Sequence, residues 1–129
     1  MANTAWAYSR LEHAAPALFD VIAAAAAPRM AAFAGLGIVM LLAAFARADH
    51  AAGALFNAAV DALEAAPHLR DDVLASPQGV AQLLWAHARL NCRIPETLCA
   101  ALVAARCGTW RAGQCWSWAS RRRRGRWQR

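Results

Sequence analysis

The chain has 129 residues, 36 of them Ala and none Lys, with a formal net charge of +6. That length allows one domain with a modest core, and Ala- and Leu-rich composition without β-branched runs favours helices. Residues 1–106 hold seven Arg against eight acids, whereas residues 107–129 hold seven Arg and no acid, so any attraction to polyanions inferred from net charge applies to the tail alone.

In chain order, the sequence starts inside a first helix (A) that runs through Trp6 to Leu11, and Pro16 opens a second (B) through Leu18, Phe19 and Ile22. Proline suits a first helical turn because it has no N–H left to satisfy there. From Met30 to Ala46 the stretch MAAFAGLGIVMLLAAFA carries no charge over 17 residues, the lower edge of a membrane span. Gly35 and Gly37 suggest instead a turn between two helices, and a buried helical hairpin is the preferred reading. The next helix B holds Leu55, Phe56, Val60 and Leu63. Ser76-Pro77-Gln78 is a helix start, with Ser as cap and Pro in the first turn. Val80, Leu83, Leu84, His87 and Leu90 then recur at helical spacing, so this helix A extends to about Arg89. Pro95 starts the last helix, in which Leu98, Leu102 and Val103 share a face.

These elements form an internal repeat. At an offset of 37, Arg10 falls on Arg47, Glu12 on Asp49, His13 on His50, and Leu18-Phe19 on Leu55-Phe56. At an offset of 79, Trp6 meets Trp85, Arg10-Leu11 meets Arg89-Leu90, and Pro16 meets Pro95. Aligned alanines would mean little in such a composition; an aligned Arg, acid, His and Leu-Phe pair imply repetition. Spacings of 37 and 42 residues fall in the range of helical repeats. The expected fold is all-α: an α-solenoid of about three helical hairpins, with units at 1–37, 38–76 and 77–106. Each hairpin carries apolar residues on more than one side, as stacking against neighbours requires.

The segment 107–129 abandons the pattern. It carries four of the six Trp and is expected to be a disordered basic tail. Arg121, Arg122, Arg123 and Arg124 interleaved with Trp could hold phosphates or stack on bases; a solvated charge run is the plainer reading. The four Cys are spaced by seven or eight residues without a C-x-x-C pair, so neither a metal nor any other cofactor is expected. No secretory signal is visible.

SPQGVAQLLWAHARL and ANTAWAYSRL, with FAGLGIVMLLAAFARAD less closely, share the pattern aromatic-Ala-x-Ala/Ser-Arg-Leu. This resembles the helix-A signature of octotricopeptide repeats and is similar to the repeats that precede the RAP domain in organelle RNA proteins. The resemblance covers about residues 2–106. It weakens in the second unit, where Ala43 replaces Trp and Ala48 replaces Leu. It implies an α-solenoid that binds organellar RNA in a mitochondrion or chloroplast and acts on its stability, processing or translation. It carries over no catalytic motif. Three units are fewer than this family usually has, which suggests a fragment of a longer array.

Within the repeat, Asn3 and Arg10 are seven residues apart and share a helical face, as do Met40 with Arg47 and Gln82 with Arg89. Stacked units would set Arg10, Arg47 and Arg89 in a column for the phosphates of single-stranded RNA, with Asn3 and Gln82 placed to meet base edges. The competing reading pairs each Arg with Glu12 or Asp49, or lays it over the stack. Two other function classes stand beside RNA binding: a protein–protein scaffold of helical repeats, and a small membrane protein with a span at 30–46. With no Ser-His-Asp spacing, Gly-rich phosphate loop or carboxylate pair on one face, an enzyme is not expected.

Overall fold

The computed structural model describes residues 1–11 and 15–107, and side chains as far as residue 104. The described chain is all-helical. Its elements are α1 (Ala2–Arg10), α2 (Pro16–Ala26), a 3-10 helix (Ala27–Ala32), α3 (Gly35–Arg47), α4 (Gly53–Ala65), α5 (Pro67–Leu74), α6 (Pro77–Arg89) and α7 (Glu96–Cys107). The Arg/Trp tail from residue 108, with the expectation of disorder attached to it, lies outside the described residues, as do Glu12 and His13.

Local chemistry sets most helix starts. Pro16, Pro67 and Pro77 each occupy the first turn of a helix, where a missing N–H costs nothing. The Ser76 hydroxyl accepts from the Gly79 N–H at 3.1 Å and caps α6. Pro95 stands just ahead of α7, and its carbonyl accepts from Cys99 N–H at 2.9 Å. The stops of α3 and α6 match each other. Asp49 and Asn91, 42 residues apart, both adopt left-handed backbone, with φ of 54° and 52°. The following N–H then reaches back five residues in each case: His50 to the Phe45 carbonyl at 3.0 Å and Cys92 to the His87 carbonyl at 2.9 Å. This ending satisfies carbonyls that the last turn would leave open, and Asn and Asp are the side chains that tolerate it best after Gly.

α3 is the central element and packs against α1, α5 and α6. Residues 41–46 of it are all buried, as are Ile38 and Val39. Burial on every side explains why the second half of the Met30–Ala46 stretch is so apolar, whereas Ala31, Ala32, Ala34 and Leu36 in its first half are exposed. That stretch is not one helix. Met30 belongs to the 3-10 helix, Phe33 and Ala34 are extended, and α3 begins only at Gly35. Among the described residues no helix is long and apolar enough to cross a membrane.

α4 packs against α2, the 3-10 helix and α5. Two aromatic contacts tie the first helix of one unit to the second helix of the unit before. Phe45 of α3 meets Phe19 of α2 edge-on, with ring centres 5.0 Å apart at 86°. His87 of α6 meets Phe56 of α4 likewise, at 5.0 Å and 78°. Phe19 and Phe56 are related by the offset of 37, Phe45 and His87 by 42, so one contact occurs twice.

Three expectations need correction. The first two units are more than helical hairpins, because the 3-10 helix and α5 connect each B helix to the next A helix. The turn expected around Gly35 and Gly37 lies instead at Phe33–Ala34, and Gly35 opens α3. Val103 is 48% exposed and does not share the buried face of Leu98 and Leu102.

Gly35 is demanded by packing. A Cβ there would collide with the Leu69 carbonyl oxygen and lie 2.8 Å from Asp72 Cβ, both in α5. Gly37, two residues on, would place a Cβ no closer than 3.8 Å to Phe33. Gly35→Ala is therefore expected to destabilise by about 1–3 kcal/mol through overpacking. Gly37→Ala should be neutral or stabilising, by up to about 1 kcal/mol of helix propensity. Urea denaturation of the two variants checks the opposite signs.

Candidate functional site

The expected column of arginines lies at the C-terminal ends of α1, α3 and α6, which run side by side with α3 in the middle. Arg10, Arg47 and Arg89 are all exposed, as is Asn3, whereas Gln82 and Met40 are half-buried. Arg47 and Arg89 each reach back to the preceding unit, by different means. The Arg47 guanidinium sits 5.1 Å above the Trp6 ring, a cation–π arrangement. The counterpart of Trp6 in the second unit is Ala43, which offers no ring. Arg89 instead approaches Asp49, Nη2 to Oδ1 at 3.6 Å. Both partners of that pair are more than half exposed, so it contributes at most about 1 kcal/mol.

Arg10 and Arg47 also line a cleft of about 760 Å³, walled by Tyr8, Pro16, Phe19 and His50 among others. His50 is held by the Asp20 carboxylate, Nε2 to Oδ1 at 2.9 Å, and lies against the rings of Phe19 and Phe45. Sequence reasoning did not single out this pair. The recurrence of His at positions 13 and 50 was the available signal, but the partner Asp20 is 30 residues away and could not be inferred from local spacing.

Ser9 spends its hydroxyl on the Trp6 carbonyl at 2.8 Å. Among the described residues no group of His, Cys, Asp and Glu is arranged to hold a metal ion. Cys92 and Cys99 are free thiols, and burial pushes the Cys92 thiol upward, away from the thiolate form. The Arg121–Arg124 run lies outside the described residues.

His87 is the one buried polar side chain of α6, at 1% exposure. Its Nδ1 donates to the Leu83 carbonyl at 2.9 Å, and its buried Nε2 has no hydrogen-bond partner among the described residues. Burial lowers its pKa below the ordinary 6.5, outweighing the Leu83 bond, which raises it. Below pH 6.5 the unfolded chain therefore takes up a proton that the folded chain refuses. Stability is expected to fall as pH drops from 6.5 toward the lowered folded value. His87→Phe, which copies Phe45 at the matching position, should flatten that part of the profile in melts at pH 7.5, 6.5 and 5.5.

Comparison with protein-family models, with curated proteins and with solved structures gives no match.

Proposed function

We propose that the chain is a short α-solenoid that binds single-stranded RNA along the face carrying Arg10, Arg47 and Arg89. The observation behind this reading is that three exposed Arg stand at one register on three A helices, of which α3 lies against both others. The matched endings of α3 and α6 and the twice-made aromatic contact support the solenoid part of the proposal. Guanidinium groups suit phosphate, and Arg47 stays exposed while its guanidinium lies over the Trp6 ring. An organellar setting, in a mitochondrion or chloroplast, is proposed from the resemblance of the A-helix signature alone, and RNA processing, stability or translation with it.

A protein scaffold is the second reading, and one observation favours it. Arg89 and Arg47 already bind the preceding unit, through Asp49 and Trp6, as arginines that fasten a stack would.

The two readings separate in RNA-binding titrations of the full chain at several salt concentrations. Replacing Arg121–Arg124 with Gln should remove most of the non-specific affinity. Replacing Arg10, Arg47 and Arg89 with Gln should further reduce the slope of log K against log salt by about two, at about 0.7 per phosphate contact on a single strand. An unchanged slope in the triple variant would leave the scaffold as the better reading.

A further inference from the structure

The A helices have two faces that behave as complements. Positions Val39, Leu42 and Ala46 of α3 are buried, and so, at the matching places of α1, are Ala5 and Ser9, with Ala2 half-buried. At the same places of α6 stand Ala81, Leu84 and Ala88. Ala81 and Ala88 are exposed and Leu84 is only half-buried. Beside them Trp85, the counterpart of Trp6, is 44% exposed. α6 thus carries, uncovered, the face that α1 uses against α3.

The opposite face shows the reverse. Ile38, Leu41 and Ala44 of α3, and Val80, Leu83 and Ala86 of α6, are at most 1% exposed. The matching residues are Met1, which caps α1, and Thr4 and Ala7 within it, and all three are exposed. The charge pattern agrees. Arg47 covers Trp6 and Arg89 meets Asp49, while Arg10 of the first unit is exposed and makes no ion pair among the described residues. In the third unit, Trp85 and Asn91 hold the places of Trp6 and Asp49 and are likewise exposed.

We infer that a second copy of this chain docks head-to-tail, its α1 laid on α6 of the first, so that Arg10 of one copy covers Trp85 of the other. The contact reproduces a join that the fold makes twice internally, α1 to α3 and α3 to α6. It rests on the stacking reading given above. Such a contact is heterologous, so association continues beyond the dimer as concentration rises.

Sedimentation of the full chain without RNA, over a concentration series in moderate salt, should show mass rising past the dimer. Trp85→Glu blocks one end and Thr4→Glu the other, and each should weaken association about thirtyfold or more, the loss typical of a buried Trp anchor. A mixture of the two variants should form dimers and stop there, because each retains one intact end. A monomer at every concentration, association untouched by either variant, or a mixture that fails to pair would each overturn the inference. Helicity and melting of the variants are recorded alongside. Where these match the parent chain, a monomeric result rejects self-association alone and leaves the internal stacking in place. Where Trp85→Glu fails to fold, Trp85→Gln with Thr4→Glu repeats the pairing test.

Discussion

Ala86→Pro is expected to break α6 and release the third unit from α3. Proline at 86 has no N–H to give the carbonyl four residues back, and its ring runs into that carbonyl, at a cost of about 3 kcal/mol or more. Ala86 is fully buried, so the larger ring also has nowhere to go. A domain of this size has about 5–15 kcal/mol in total, so the loss is a large part of it. Far-UV circular dichroism should show lost helicity, and urea denaturation an early or split transition. If helicity and melting were unchanged, residues 77–89 could not be one continuous helix. The prolines already present at 16, 67 and 77 show the contrast, since each sits where a helix has no bond to lose.

A loss of similar size is expected at Phe56. Its ring is 1% exposed and meets the edge of His87 from the next unit. Phe56→Ala should cost about 3–5 kcal/mol, from the apolar surface returned to water and the cavity left behind. The ring contact itself accounts for about 0.5–1.5 kcal/mol of that. Phe56→Leu preserves most of the volume and should cost less than about 1.5 kcal/mol. Phe19→Ala removes the matching ring and should behave alike, because Phe19 is 2% exposed and meets Phe45 at the same 5.0 Å. Denaturant midpoints of the three variants check the ranking. A Phe56→Ala midpoint equal to that of the parent would mean that the units are not joined there.

Those parts of the fold that depend on neighbours in sequence were legible from the sequence. Ser76 and Pro77 announce α6, and Pro16 announces α2, because capping and first-turn chemistry act within four residues. α5 escaped notice although it too opens on a proline, Pro67. It spans only eight residues, and its two buried side chains, Leu69 and Val73, are too few to establish a period. The Gly35 error had a different cause. Glycine suggested a turn, but the residue is small because α5 passes close by, a fact of tertiary packing. For the candidate site, the common register of Arg10, Arg47 and Arg89 was readable from the offsets. What Arg47 and Arg89 touch was not, because Trp6 and Asp49 are about forty residues away and approach only through the packing of α3 against α1 and α6.

The unequal repeat lengths have a consequence for how such a chain can change. α2 and α3 begin 19 residues apart (16 to 35), α4 and α6 24 apart (53 to 77), and that difference of five is the whole difference between 37 and 42. α3 and α6 are both 13 residues long and end alike, so the extra residues lie ahead of the A helix: two lengthen the B helix, from 11 residues in α2 to 13 in α4, and the rest lengthen the connector. Insertions and deletions between a B helix and the following A helix can therefore accumulate while the order and facing of the A helices persist. Lengthening such a connector costs little chain entropy, which grows only with the logarithm of length. A search for further copies of the unit should therefore fix the A-helix register while allowing the gap before it to vary.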